Sequence, residues 1–273
     1  MPENLLITIP VYKNKADLYA YEMVSIANTI KLTCDRYAIA LIHPPGVDVR
    51  AYSDAFKYAF HSFEFDQAYF TSIYAYNNLL KSSAFYQAFS AYEHMLLVQT
   101  DAYLFSLDLE PYTAFDFVGA PWHKHILHPE REGLFCGNGG LSLRNVHKCL
   151  EVLQTSKRLF SFKEITDFTF NSEFHAHASL WWKWRETLYY FMKHNNIKDG
   201  QNRLPYIYED VFWSLAVPTV FKNFSVADGQ TALRFSFETR PEHCYALNNN
   251  TLPLGCHGFQ KYNPDFWRQF IPF

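Results

Sequence analysis

Apolar residues along this chain follow two rhythms. Leu5–Val11 (LLITIPV), Tyr37–Ile42 (YAIALI) and Met95–Val98 are short unbroken apolar runs closed by polar residues or proline, a pattern that suits buried central strands. Between the first two, Ala16, Ala20, Met23, Val24, Ala27 and Ile30 recur at helical spacing, so the first 45 residues read as a βαβ unit. Residues 61–70 read as a short strand and turn, and Ile73–Phe89 as one helix. Asp116–Gly119 reads as a strand ended by Ala120, Pro121 and Trp122, and Phe135–Leu143 (FCGNGGLSL) as two extended pieces around a glycine turn. Further helices are expected at Val146–Thr155, Ala178–His194 and Asp210–Val217. Within Ala178–His194, Trp181, Trp184, Leu188 and Phe191 form a stripe at spacings of three and four, read as core packing in preference to a membrane-docking or acceptor-binding face. Strands alternating with helices predict an α/β protein, and the length of 273 residues fits one elaborate domain.

Four stretches carry candidate chemistry. Gln99-Thr100-Asp101 follows the apolar run at Met95–Val98, where a carboxylate either caps a turn or holds a metal or polar ligand beyond the strand end. Gly137-Asn138-Gly139-Gly140 either forms a tight hairpin or lets the backbone approach a ligand closely. Glu209-Asp210 precedes an apolar helix, where acids are favoured by the helix dipole and where one of them can also accept a proton. His257, between glycines, is either a structural residue or a metal ligand. Two weaker groups, His123 with His125 and His128, and His175 with His177, lack the spacing of a familiar zinc motif.

Composition narrows the function classes. A net charge of -3 gives no basic footprint for nucleic acid. The absence of G-x-G-x-x-G after the first strand weakens a dinucleotide reading. Aromatic residues make up 19% of the chain, more than core packing needs, and the Tyr and Trp among them supply flat surfaces for sugar or base rings. The five cysteines, Cys34, Cys136, Cys149, Cys244 and Cys256, form no C-x-x-C pair, and an odd number suits a reducing compartment. With a strand opening at Leu5 and no apolar run long enough to span a bilayer, the expected location is the cytoplasm, with peripheral contact at the inner face of a membrane.

Taken together, IPVYK (9–13), YFTSIYAYNNLLKSSAFY (69–86), QTDAYLF (99–105), VGAPW (118–122), GNGGLSLR (137–144), EDVFW (209–213) and GCHGFQKY (255–262) resemble metal-dependent glycosyltransferases of the GT-A fold. The likeness is greatest to a bacterial family of glycosyltransferase-like sequences, and more distant to β1,3-galactosyltransferase and Fringe-like enzymes. It covers most of the chain. It implies a single GT-A-like domain with a Rossmann-like mixed sheet flanked by helices, a nucleotide-binding half at 1–105, and an acceptor and catalytic half at 106–273. Carried over by residue, Asp101 and His257 would bind Mn2+ or Mg2+, and Gln99 stands where the first acid of an Asp-x-Asp motif usually is. Pro10, Val11 and Tyr12 would lie beside the base of a nucleotide sugar, expected to be UDP-linked, with Asn77, Ser82, Gln99 and Thr100 also contributing. Asn138, Gly139 and Gly140 would face the transferred sugar, Asp210 would be the general base, and Glu209 would orient a glycan or lipid-linked acceptor. The implied reaction is an inverting transfer in bacterial surface polysaccharide synthesis. Two other readings stay open: a non-catalytic sugar- or nucleotide-binding module, and a zinc hydrolase built on His123, His125 and His128.

Overall fold

A computed structural model describes residues 4–33, 36–128, 130–171, 175–198 and 207–273. The first half contains β1 (Leu5–Pro10), α1 (Ala20–Thr33), β2 (Ala38–His43), α2 (Val49–Phe56), β3 (His61–Glu64), α3 (Ile73–Leu79), α4 (Ser83–Ala88), β4 (His94–Val98) and β5 (Ala102–Leu104). Then follow β6 (Phe117–Lys124), β7 (Glu132–Asn145), α5 (Val146–Gln154), α6 (Phe162–Asn171) and α7 (Leu180–Lys193). The last part holds α8 (Glu209–Val211), α9 (Val217–Val220), α10 (Gly229–Phe235), β8 (Ser236–Phe237), α11 (Pro241–Leu247), β9 (Gly255–His257) and α12 (Pro264–Trp267).

The main sheet has the order β3-β2-β1-β4-β7-β6. Its first four strands are parallel; β7 runs antiparallel to β4, and β6 antiparallel to β7. This is a Rossmann-like mixed sheet flanked by helices. β1, β2 and β4 are buried along almost their whole length, as their unbroken apolar runs require, while the edge strand β3 is mostly exposed and polar. The chain builds from β1 to β2 and β3 on one side, then returns to place β4 on the other side of β1. The order therefore reverses between the carboxyl ends of β1 and β4, where open α/β sheets bind ligands.

A second sheet, β5-β9-β8, continues from the end of β4 and has its own apolar cluster, with Phe237, Cys256, Phe259 and Trp267 fully buried. β5 and β9 are antiparallel with Ala102 opposite His257. The Asn28 side chain of α1 donates to the Leu104 carbonyl at 2.6 Å, fixing β5 against the first helix.

Several expected elements take a different form. Ala16 lies before α1 in a short helical turn, Lys15–Asp17. The helix expected at Ile73–Phe89 divides into α3 and α4, because Ser82 turns its hydroxyl to accept from the Phe85 amide and caps a new helix. β6 runs on through Pro121 to Lys124; it is an edge strand, and the register shifts beside Pro121, so the missing N–H is tolerated. The glycine stretch is neither a hairpin nor two pieces. β7 is one strand, and between the pairs Gly119–Ser142 and Ala120–Asn138 it bulges outward over Gly139, Gly140 and Leu141. The helix expected at Asp210–Val217 begins at Glu209 and reaches Val220 through one wider turn, Phe212–Ala216, just before Pro218.

The aromatic stripe of α7 is not core. Trp181, Trp184 and Leu188 are 70%, 49% and 56% exposed, although one edge of Trp184 meets Phe170 of α6 with ring centres 4.9 Å apart, and Phe191 packs inward, edge-on to Phe162. The buried position of the helix is Thr187, and Lys183 reaches the Phe170 carbonyl of α6.

Candidate active site

A cleft of about 400 Å³ opens at the sheet's switch point, lined by Pro10 at the end of β1 and Tyr12 beyond it, Tyr21 and Glu22 of α1, Tyr76 of α3, and Gln99, Thr100 and Asp101 after β4. Aromatic rings and one proline form its walls, and acids and amides its floor. Glu22 is buried there yet fully engaged: it takes hydrogen bonds from Thr100 Oγ1 and the Tyr19 amide, both 2.8 Å, and Lys13 Nζ lies 2.7 Å away. Lys13 also stands 4.2 Å from the centre of the Tyr19 ring, which tethers this cation beside Glu22 of the cleft wall. Glu22 does not stand out in sequence, since an acid in the first turn of a helix is common without any function.

Asp101 and His257 meet at the end of this cleft. His257 Nε2 lies 3.2 Å from Asp101 Oδ1 and 3.1 Å from Gln99 Oε1, while Nδ1 on the far side of the ring is 3.2 Å from Glu238 Oε1. Burial alone would lower the imidazole pKa, but hydrogen bonds and charge from the two carboxylates outweigh it and push it up to about 10. The converse holds for Asp101: burial opposes ionisation, and the bond to His257 keeps its pKa below the ordinary carboxylate value. Glu238 escaped the sequence reading because it follows a two-residue strand, β8, with no motif around it. Two buried polar atoms border the cluster without a completed hydrogen bond, the Tyr76 hydroxyl and Gln260 Oε1. Gln260 donates its amide to Asp101 at 3.5 Å, so its free oxygen also belongs to this corner.

This donor set fits a divalent cation. Octahedral bonds of about 2.1 Å put neighbouring donor atoms about 3 Å apart, close to the 3.1 and 3.2 Å separations from His257 Nε2 to Gln99 and Asp101. Glu238 behind the ring would fix the tautomer and orientation of a ligating imidazole. The third donor is an amide oxygen, and among the described residues no three His, Cys, Asp or Glu form a metal-holding group. His123, His125 and His128 do not converge: His123 Nε2 lies 3.6 Å from Cys244 Sγ, whereas His125 faces His128 and Phe135. His175 packs against Phe168 and Trp182. Cys136 and Cys256 are buried, and burial pushes both thiols up, Cys136 to about 12, away from nucleophilic use.

The bulge of β7 joins this corner to the second pair of acids. A Cβ on Gly140 would overlap His257 Nε2, and one on Gly139 would overlap the Glu209 carboxylate. Asn138 holds the bulge by accepting from the Gly140 amide at 2.9 Å, and the Gly140 carbonyl accepts from the Gln99 amide at 2.9 Å. Glu209 is buried, with Arg144 Nη2 donating to Oε1 at 3.0 Å and lying 2.9 Å from Oε2. Arg144 is itself fully buried, bonded to the Tyr86 hydroxyl and Ser142 Oγ. Although desolvation works against its charge, the neighbouring Glu209 raises its pKa and keeps it cationic.

Asp210 is the free acid of the pair. Burial, and then the charge of Glu209, raise its pKa to about 7, despite a bond from the Val211 amide at 2.8 Å. Glu238 contributes to this shift, and Tyr76 is perturbed by both Glu209 and Asp101, so the two acidic corners share one electrostatic field.

Three residues assigned to the nucleotide site have other duties. Asn77 spends its amide on the Ile73 carbonyl and its oxygen on the Glu209 amide, 2.7 and 2.6 Å, which positions the start of α8. Ser82 caps α4, and Val11 is a core residue behind Pro10 and Tyr12.

A Rossmann-like fold with an Asp–His–amide corner at its switch point defines the class of architecture, a nucleotide-sized cleft beside paired acids. The chain belongs to the family described as "Protein of unknown function (DUF5672)", whose model matches residues 59–257. No curated protein matches it. Among solved structures, it is similar to mouse xyloside xylosyltransferase 1 in its apo form, at 12% identity and a TM-score of 0.47, covering 93% of this chain and 96% of that one. Another is the galactosyltransferase LgtC with donor and acceptor sugar analogues, at 11% identity and a TM-score of 0.45, covering 92% and 86%. A third is core-mannan synthase A from Aspergillus fumigatus in its Mn/GDP form, at 7% identity and a TM-score of 0.41, covering 76% and 71%.

Proposed function

We propose that this protein is a glycosyltransferase moving a sugar from a nucleoside-diphosphate donor, expected to be UDP-linked, to a hydroxyl of a glycan or lipid-linked acceptor. The observation that carries the reading is the meeting of Asp101, Gln99 and His257 at 3.1–3.2 Å, backed by Glu238, at the end of the switch-point cleft. Asp101, His257 and Gln99 would hold Mn2+ or Mg2+, which when bound supplies positive charge to the departing diphosphate. Pro10, Tyr12 and Tyr21 form an apolar slot suited to the base, and Lys13, paired with Glu22 of the cleft wall, would meet a phosphate. The glycines of the bulge let the Glu209 carboxylate and the His257 ring close directly against the backbone of β7, and Asn138, Gly139 and Gly140 would face the transferred sugar from between those two groups. Asp210, with its pKa near 7, accepts the proton of the attacking hydroxyl, and attack opposite the leaving group inverts the anomeric carbon. Glu209, committed to Arg144 and Asn77, acts by fixing Asp210 in place instead of touching the acceptor. Surface polysaccharide assembly is the setting this reading favours.

One observation supports a second reading, a binding module without turnover: Gln99 occupies a position where a carboxylate would strengthen metal binding. Incubation with Mn2+ and a panel of UDP-sugars separates the two. Release of UDP, lost in Asp210→Asn while UDP still binds by calorimetry, supports transfer; binding with no release from any donor or acceptor supports the module.

A further inference from the structure

The helical hairpin of α6 and α7 is pinned at its base, where Leu159 donates to Asn195 and Ile197 to Lys157, both 2.9 Å, and Asn195 also bonds the backbone of Phe160. Above that base α7 is built inside out. Leu180, Trp184, Leu188 and Met192, each four residues from the last, form one exposed row, and Trp181, Arg185 and Tyr189 form the row beside it. Thr187 and Lys183 face inward instead. Two adjacent rows make an apolar stripe along a helix of 14 residues, about 21 Å at 1.5 Å per residue. Large exposed patches of this kind mark an interaction surface.

Charge selects the occupant. Residues 156–206 carry eight Lys or Arg against five Asp or Glu, in a chain whose net charge is -3. Lys163, Lys193 and Lys198 are exposed on this hairpin, while the Arg185 guanidinium, 5.3 Å from the centre of the Trp181 ring, is paired with Glu186 at 2.8 Å. Pairing with a second copy through the same face would bring two net-positive segments together. Tryptophan and tyrosine beside leucine and methionine, with basic residues in and around the stripe, suit the boundary between anionic headgroups and acyl chains. Among the described residues no helix is long and apolar enough to cross a membrane, so α7 would lie in the plane of the surface.

We infer that the exposed face of α7 docks the protein onto an anionic lipid surface. This is independent of the chemistry proposed for the cleft. The test is sedimentation of the full chain with vesicles of equal parts phosphatidylglycerol and phosphatidylcholine, and with phosphatidylcholine alone. Binding to the anionic vesicles, weakened by salt and lowered about tenfold or more in Trp181→Gln/Trp184→Gln/Leu188→Gln, is the expected result. Quenching of tryptophan emission by acyl-brominated lipid checks the same contact in the unaltered protein, because Trp181 and Trp184 are the strongly exposed tryptophans among the described residues. A protein that stays in the supernatant and is not quenched overturns the inference. So does equal binding by the triple variant, or light scattering that shows a dimer abolished by the same substitutions. UDP and Mn2+ binding, measured on the triple variant, should be unchanged, which separates failure here from failure of the cleft reading.

Discussion

Gly140 and His257 touch: the Cα of the glycine faces the Nε2 edge of the imidazole with no room for a methyl group between them. Gly140→Ala must therefore push His257 away from Asp101 and Gln99, or distort the bulge that Asn138 holds. Mn2+ affinity, read by titration calorimetry, should fall at least tenfold, while the melting transition moves by about 1–3 kcal/mol of stability, the usual cost of overpacking. Metal affinity equal to that of the unaltered protein would remove His257 from the ligand set.

Glu238 touches the ring nitrogen that faces away from Asp101. Glu238→Gln keeps the shape and a hydrogen-bonding amide, yet removes the charge that orients and polarises the imidazole. Mn2+ affinity should drop about 10–100-fold, with UDP binding in metal-free buffer little changed. An unaltered affinity would reduce Glu238 to packing.

The pKa of Asp210, near 7, gives a pH signature. The base form accumulates only as pH rises through that value, so kcat/KM for UDP-sugar turnover should climb across an acid limb centred near pH 7 and then level off. Stability carries the opposite sign. Between the ordinary carboxylate value and about 7 the folded carboxyl keeps a proton that the unfolded chain has released, so this group's contribution to stability declines as pH rises through the window. Asp210→Asn should abolish turnover and flatten that part of the stability profile, measured by denaturant unfolding at several pH values.

Arg144 and Glu209 form a buried ion pair beneath the bulge. Arg144→Met leaves Glu209 as an uncompensated buried charge, and unfolding free energy should fall by about 3–5 kcal/mol. Arg144→Met with Glu209→Leu should recover much of that loss in urea denaturation, although activity stays low because the anchor of Asp210 has gone.

The strands and Asp101 were legible because burial on both faces writes an unbroken apolar run, and a carboxylate after such a run stands where ligands gather. His257 could be tied to Asp101 only through a family resemblance, since 158 residues separate it from Gln99 and no local pattern spans that distance. Glu22, Tyr76, Arg144 and Glu238 act through packing against distant elements, and their own neighbours in sequence carry no signal of it. The link from Asn77 to α8 was invisible for the same reason, because its partner is a backbone amide at Glu209. The stripe on α7 reads as core by periodicity alone, since spacing reports that one face differs from the others and not which of them meets solvent.

β9 supplies the imidazole by pairing with β5, the strand laid down immediately after Asp101. Because Ala102 lies opposite His257 in that pairing, one ladder fixes the imidazole relative to the acid just before β5, and a slip of a single residue would turn the ring to the other face of the small sheet.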